Sequence, residues 1–291
     1  MRLRRTRGFL PAALNAIFTP AGKLKKILFP PGLIQPAVNL KFSSIIDFSE
    51  TAWPGKTASV IYLAGCPLQC YWCNVPFLVN LSPEKFDSKP DSFFIEHFTK
   101  LQASTEGVVF MGGEPMLQGN AVLEISKTLK HLGFAVRVET SGYYPESLRD
   151  LLPFVDYVQM DVKVPIDKEL YAKATAFRGD SEILISKILS SLAFLEAGKE
   201  SKRVFKELRT TVIPGLNDTP GAVQAICEYC KFADLYALQQ PQPGAKGGFV
   251  NPDFELSAVP SKEKMYELAY AAKKTFPEVL IRFNDGSEEL V

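Results

Sequence analysis

From residue 58 onward, short apolar runs alternate with amphipathic stretches along the chain. The apolar runs predict buried strands, and the stretches with apolar residues every three or four positions predict helices. The predicted strands cover residues 59–65, 107–113, 134–142, 155–164, 204–215, 234–241 and 279–284. The predicted helices cover residues 91–103, 120–133, 180–198, 219–232 and 261–276, and Asp180 is the predicted capping residue of the third. This alternation indicates a parallel sheet covered by helices, and about six units favour a partial (β/α)6 TIM-like barrel of class α/β.

Unusual polar or glycine-rich motifs stand where the first four predicted strands end. They are the cysteine loop 66–73, the Gly-Gly-Glu-Pro motif 112–115, the Glu-Thr-Ser-Gly motif 139–142 and the Met-Asp-Val-Lys motif 160–163. Barrel enzymes carry their chemistry at the carboxyl ends of the strands. The sequence therefore predicts that all four motifs meet at one end of the barrel.

Charge is unevenly distributed over the 291 residues, whose net charge is +1. Residues 1–46 hold eight Lys or Arg and no Asp or Glu, which leaves −7 on the other 245 residues. A mildly acidic main body argues against a broad basic face for DNA. No stretch reaches the roughly 18–20 unbroken apolar residues of a membrane span.

We divide the chain into a basic N-terminal extension, residues 1–41, and a main domain, residues 42–291. The Arg-rich start and the short apolar stretch after it allow three interpretations. The first is a targeting or membrane-surface segment, and the second is a basic tail or a packed accessory helix. The third is that these residues are translated from a wrong, upstream start. The pattern does not decide between them.

Five cysteines, three of them within eight positions, do not suit a secreted disulfide framework. They indicate metal ligation in a reducing, cytoplasmic compartment. The spacing C-x3-C-x2-C of Cys66, Cys70 and Cys73 can hold three corners of a [4Fe-4S] cluster and leave one iron open. The alternative is a zinc site that joins Cys70 and Cys73 to Cys227 and Cys230, which leaves Cys66 unexplained.

The segment "CPLQCYWC" resembles the C-x3-C-x-aromatic-C motif of the radical S-adenosylmethionine enzymes, with Trp72 as the aromatic residue. The resemblance runs from about Lys41 to about Asn284. Residues 42–66 and 74–79 look most like the activating enzymes of anaerobic ribonucleotide reductase and pyruvate formate-lyase. The resemblance implies a [4Fe-4S] cluster on the three cysteines, which are the catalytic and metal-ligating residues.

The resemblance also implies a pocket for S-adenosylmethionine. Gly112 to Pro115 match the segment that receives the amino group of the cofactor. Residues 139–142 and 161–163 match two segments that lie beside its ribose and carboxylate. In the family these two segments can also surround a monovalent cation. For Asp161 and Lys163 the alternative is a surface ion pair. The implied cofactor-binding residues are Trp72, Asn74, Gly112, Gly113, Glu114, Glu139, Thr140, Ser141, Asp161 and Lys163.

The function implied is cleavage of S-adenosylmethionine to a 5′-deoxyadenosyl radical that installs a glycyl radical on a partner enzyme. The partners implied are that glycyl-radical enzyme and a flavodoxin or ferredoxin that donates the electron. One alternative is a radical enzyme acting on a small molecule or nucleoside, similar to 7-carboxy-7-deazaguanine synthase. Another is a non-catalytic iron–sulfur module. The glycine-rich segment 240–249 is either a lid over the site or a plain loop.

Overall fold

A computed structural model describes residues 38–79, 86–198, 204–244, 248–251, 253–254 and 259–291, all within one compact unit, Ala37–Val291. The strands are β1 (Asn39–Ser49), β2 (Ala58–Leu63), β3 (Asp87–Pro90), β4 (Gly107–Gly112), β5 (Ala135–Thr140), β6 (Tyr157–Asp161), β7 (Phe205–Thr211), β8 (Leu235–Gln239), β9 (Val279–Arg282) and β10 (Glu288–Leu290). The helices are α1 (Pro76–Val79), α2 (Asp91–Leu101), α3 (Gly119–His131), α4 (Pro145–Leu151), α5 (Lys168–Ala174), α6 (Ser181–Ala197), α7 (Pro220–Glu228) and α8 (Lys262–Ala272). Short 3-10 turns cover Pro115–Gln118 and Leu152–Phe154.

The described strands form one sheet in the order β10-β9-β8-β7-β6-β5-β4-β2-β1-β3. Seven of these strands, β2 and β4 to β9, are parallel to their neighbours in this series. Along the chain, at least one helix follows each of the first six before the next parallel strand begins. At one edge β1 pairs antiparallel with β2 and with β3, and at the other edge β10 pairs antiparallel with β9. The described sheet does not close, because its end strands β10 and β3 do not pair with each other. The prediction of a partial (β/α)6 TIM-like barrel is confirmed.

Each predicted strand and helix corresponds to an observed element of the same type. The capping residue predicted for α6 is also confirmed, because the Asp180 carboxylate accepts hydrogen bonds from the N–H groups of Glu182 and Ile183 at 2.8 and 3.4 Å. Strand β1 was not predicted. It carries register shifts between Phe42 and Ser44 and between Ile46 and Ser49, which interrupt the alternation that marks a strand.

The predicted N-terminal extension lies outside the described residues up to position 37. Its residues 39–41 form the start of β1, and Ile45 in the same strand pairs with Ile61 of β2. In the part of the chain that the structure describes, none of the helices combines the length and the apolar character that a membrane span requires.

The two faces of the parallel strands differ in character. Val136, Val138 and Val158 of β5 and β6 are fully buried in the main hydrophobic core. Arg137, between Val136 and Val138, and Gln159, directly after Val158, are also buried, although they are polar. Successive side chains of a strand point to opposite faces, so β5 and β6 have an apolar face and a polar face. The polar face belongs to the candidate site described next.

Candidate active site

A cavity of about 570 Å³ lies at the carboxyl ends of β2 and of β4 to β8. It brings together twelve residues that the sequence predicted: Cys66, Cys70, Trp72, Cys73, Asn74, Gly112, Gly113, Glu139, Thr140, Ser141, Asp161 and Lys163. Its wall also includes residues that the sequence did not predict, such as Tyr62, Met111, Arg209, Gln239 and Gln242. The expectation that motifs from four strand ends meet in one place therefore matches the geometry.

The cysteine loop connects β2 to α1, and backbone hydrogen bonds join the start of the loop to α1. The N–H of Gly65 donates to the Leu78 carbonyl at 2.7 Å, and the N–H of Cys66 donates to the Val79 carbonyl at 3.3 Å. Within the loop, the N–H of Cys73 donates to the Cys70 carbonyl at 2.9 Å. These backbone hydrogen bonds hold the three thiol-bearing positions on one wall of the cavity.

Burial raises the pKa of all three thiols, and that of Cys70 reaches about 11. An unliganded thiolate is therefore unfavourable here, whereas a bound metal favours the thiolate form. Among the described residues, no three His, Cys, Asp or Glu side chains are arranged to share a single metal ion. Three thiols that line one cavity are the ligand type that an iron–sulfur cluster needs, since each thiolate in such a cluster binds a different iron atom.

Cys227, in α7, and Cys230, just after its end, lie elsewhere in the hydrophobic core, and both are fully buried. Neither lines the cavity. Their position agrees with the common role of buried cysteine as a small apolar side chain, and it argues against the four-cysteine zinc alternative.

The glycine-rich segment 240–249 and the residues that follow it contact the cysteine loop and Asn74 next to it. The side-chain amide of Asn74 donates to the Pro243 carbonyl at 3.2 Å. The N–H of Val250 donates to the Cys73 carbonyl at 2.9 Å, and the N–H of Asn251 donates to the Tyr71 carbonyl at 3.2 Å. Residues 245–247 of the segment lie outside the described residues, so its role as a lid stays a prediction.

Gly112, the last residue of β4, and Gly113 directly after it stand where backbone packs closely on backbone, which leaves no room for a side chain. A Cβ on Gly113 would lie 2.1 Å from the Gly65 carbonyl oxygen, and one on Gly112 would lie 2.5 Å from the Leu63 nitrogen. Gly112 also has a φ of +117°, which residues with side chains rarely adopt. The absence of side chains lets the ends of β2 and β4 meet beneath the cavity.

Glu114 does not line the cavity, unlike the two glycines before it. Its side chain is fully buried, and burial raises the pKa of its carboxyl group. The carboxylate accepts hydrogen bonds from the N–H of Met116 at 2.9 Å and from the hydroxyl of Thr140 at 2.8 Å. It also accepts two from Ser141. Glu114 thus ties the end of β4 to the end of β5.

Asp161 and Lys163 form an ion pair of 3.1 Å whose side chains are only 25% and 10% exposed. The surface ion pair considered as an alternative is therefore wrong. Burial alone would raise the pKa of Asp161, but Arg209 and Lys163 outweigh it and lower the pKa to about 2. Asp161 is consequently a fixed negative charge in the cavity wall over the physiological pH range.

A network of charged and amide side chains connects β5, β6 and β7 on the polar face. Arg137 donates to Glu139 at 3.0 Å and to Gln159 at 2.7 Å. Arg209 donates to Asp161 at 2.9 Å and to Gln159 at 3.2 Å. The sequence carried one signal for this network, namely polar residues at alternate positions of strands whose other positions are apolar.

Residues 60–230 match the family described as the Radical SAM superfamily. The chain belongs to that superfamily. The matched range includes all three cysteines of the loop and the carboxyl ends of β2, β4, β5, β6 and β7. The resemblance found from the motifs, including the resemblance to glycyl-radical enzyme activating enzymes, is confirmed.

A Methanocaldococcus jannaschii protein named "Putative glycyl-radical enzyme activating enzyme MJ1227" is 32% identical over 85% of this chain and 98% of its own length. A 7-carboxy-7-deazaguanine synthase of Thermococcus kodakarensis is 28% identical over 50% of this chain and 62% of its own length. A solved structure of TYW1 with a lysine-pyruvate adduct bound is 16% identical, covers 80% of this chain and 78% of that chain, and has a TM-score of 0.56. That structural likeness supports the fold.

Proposed function

We propose that Cys66, Cys70 and Cys73 hold a [4Fe-4S] cluster and that the cavity beside them binds S-adenosylmethionine. The donor set fits a cluster, because three thiols of one loop line the same cavity and none of them is in a disulfide bond. The fourth iron would then be open to the cofactor. When bound, the reduced cluster and S-adenosylmethionine supply a 5′-deoxyadenosyl radical.

The cavity that the cysteines line also offers charges of both signs to a zwitterionic ligand. Asp161 is a hydrogen-bond acceptor that stays ionised, and Lys163 and Arg209 offer positive charge. Leu68, Trp72 and Met111 contribute apolar surface, which excludes water from a reactive ligand. The side chains of this chain therefore bind, orient and shield the cofactor.

We further propose that the chain installs a glycyl radical on a partner enzyme, with flavodoxin or ferredoxin as electron donor. The observation that carries this proposal is the 32% identity that extends over 98% of the M. jannaschii relative. The match thus includes the strands beyond the cysteine loop that would face a substrate. A partner that holds a glycine Cα next to the 5′ carbon is a suitable substrate, because the hydrogen transfer then becomes effectively intramolecular.

A second candidate is a radical enzyme that acts on a small molecule or nucleoside. The T. kodakarensis synthase favours it, but its match covers only half of this chain. A non-catalytic iron–sulfur module has less support, since such a module has no need for a 570 Å³ cavity with a buried Asp161–Lys163 pair.

Electron paramagnetic resonance on a mixture with a glycyl-radical enzyme encoded by the same organism tests the proposal. The anaerobically reconstituted and reduced protein should convert S-adenosylmethionine to 5′-deoxyadenosine and produce a glycyl doublet on the partner. Deuterium placed on the target glycine Cα should appear in 5′-deoxyadenosine. The protein without partner is the control and should show slow cleavage with no doublet. Cleavage that depends on a nucleoside or pterin, with no doublet on any partner, would establish the second candidate instead.

A further inference from the structure

The oxygens expected to surround a monovalent cation already have cationic partners. In the two implied segments, the carboxylates are those of Glu139 and Asp161. One oxygen of Asp161 accepts from the ammonium group of Lys163 at 3.1 Å, and the other accepts from Nε of Arg209 at 2.9 Å. One oxygen of Glu139 accepts from Arg137 at 3.0 Å, and the other lies 3.6 Å from Nη2 of Arg209.

Arg209 is the side chain that connects these carboxylates. Besides Asp161 and Glu139, its guanidinium donates to the side-chain oxygen of Gln159 at 3.2 Å and to that of Gln239 at 3.4 Å. Four oxygens from β5, β6 and β8 thus surround one planar cation on β7. Oxygen ligands of this kind are the ones that a hard metal ion prefers.

A metal cation does not fit in addition to this arginine. Within the oxygen set it would stand next to three positive side chains, those of Arg209, Arg137 and Lys163. The side chain of Arg209 is only 17% exposed, so little water is available to screen the repulsion. The residues present therefore disagree with the cation that the resemblance implied.

We propose that the guanidinium of Arg209 takes the place of a monovalent cation and holds Asp161 and Glu139 in position. Arg209 is in this sense a positioning residue for the cofactor site. A guanidinium has a permanent charge and a rigid fork of donors, and its strand fixes its location, so the charge cannot exchange with solvent. The inference rests on the proposed function only where it refers to S-adenosylmethionine.

The first test replaces Na⁺ and K⁺ by tetramethylammonium, which is too large for the site, at constant ionic strength. The full reconstituted protein should bind S-adenosylmethionine with an affinity that changes by less than about twofold, as measured by calorimetry. Its thermal unfolding temperature without ligand should also stay constant. A wild-type affinity or unfolding temperature that rises with Na⁺ or K⁺, but not with tetramethylammonium, would overturn the proposal.

The second test removes the guanidinium. Arg209→Ala should acquire the cation response that the wild type lacks, because the four oxygens become available to K⁺ or Na⁺. Its unfolding temperature should rise by about 2 °C or more in K⁺ or Na⁺ relative to tetramethylammonium. Arg209→Lys retains one positive charge and should remain insensitive. An Arg209→Ala protein that folds and shows no response to either ion would contradict the proposal.

Arg282→Ala is the matched control. Arg282 is also a poorly exposed arginine of the sheet, but it pairs with Glu207 and Glu288 rather than with the cavity oxygens. It should lose stability without gaining a cation response. If Arg209→Ala does not fold, Arg209→Lys and the wild-type salt exchange still decide the proposal. Since thermal unfolding needs no S-adenosylmethionine, failure of the cofactor to bind would refute the proposed function and leave this inference standing.

Discussion

Ser141 donates two hydrogen bonds to one oxygen of Glu114, from its N–H at 2.7 Å and from its hydroxyl at 2.5 Å. The pair joins residues 27 positions apart at the ends of two neighbouring strands. Because Glu114 is fully buried, no water can replace these donors if its carboxylate is altered. The geometry of the cavity wall therefore depends on a carboxylate that does not itself line the cavity.

Glu114→Gln should lower the free energy of unfolding by about 2–3 kcal/mol, since the amide group of Gln would face donors where an acceptor is needed. Urea denaturation of the variant and the wild type measures this change. Glu106→Gln is the control, because Glu106 is 58% exposed, lies 3.6 Å from Lys56 and accepts one long hydrogen bond, of 3.3 Å, from the N–H of Thr57. The control should change stability by less than about 0.5 kcal/mol. Equal effects of the two substitutions would refute the role assigned to Glu114.

Gly113→Ala should displace the backbone that carries the cysteine loop. Its Cβ would lie 2.1 Å from the Gly65 oxygen, next to Cys66, so β4 or the cysteine loop must shift. We expect a stability loss of about 2 kcal/mol or more and a reduced iron content after reconstitution. Urea denaturation and iron analysis check the two effects.

Gly221→Ala provides the control, because Gly221 lies in α7 and a Cβ there would meet nothing within 4 Å. It should leave iron content unchanged and raise stability by up to about 1 kcal/mol. A Gly113→Ala protein with normal stability and normal iron would show that the close approach of β2 and β4 is not needed.

Each of Cys66→Ala, Cys70→Ala and Cys73→Ala should abolish the proposed cluster, because the described part of the chain places no other thiol in the cavity. Anaerobic reconstitution of the wild type should bind about four iron atoms per chain. The measurement is iron content together with the visible absorbance of the cluster.

The double variant Cys227→Ala/Cys230→Ala tests the alternative ligand set. Both side chains are buried in the core, so the variant should be less stable but should retain its iron when it is reconstituted at low temperature. Loss of iron from the folded double variant would show that the three-cysteine assignment is incomplete.

Asp161→Asn should weaken binding of S-adenosylmethionine by about 1–3 kcal/mol, since it removes a charged acceptor from the cavity wall. The cluster absorbance should remain, because Asp161 is not one of the proposed ligands. Calorimetric titration of the reconstituted protein measures the affinity.

Glu182→Gln is the matched control for removing an acidic partner of a lysine. Glu182 pairs with Lys168 in an ion pair whose side chains are 69% and 44% exposed. This substitution should leave both cofactor affinity and absorbance unchanged. If Asp161→Asn behaves like the control, Asp161 has no part in cofactor binding.

The local features of this chain were predictable from the order of its residues. Apolar periodicity located every parallel strand, and the Asp180 cap and the C-x3-C-x2-C spacing each depend on residues a few positions apart. Together with the rule that barrel sites lie at strand ends, these features placed the four motifs in one cavity.

Which side chains meet across neighbouring strands was not predictable in this way, because it depends on how the sheet is assembled. Arg209 lies 48 positions from Asp161, and their contact depends on β6 and β7 being neighbours in register. Likewise, the burial of Glu114 depends on β4 lying beside β5. Such contacts follow from lateral strand order and packing, which periodicity along the chain does not contain. For that reason the cysteines were identifiable from the sequence, whereas the arginine among the expected cation ligands was not.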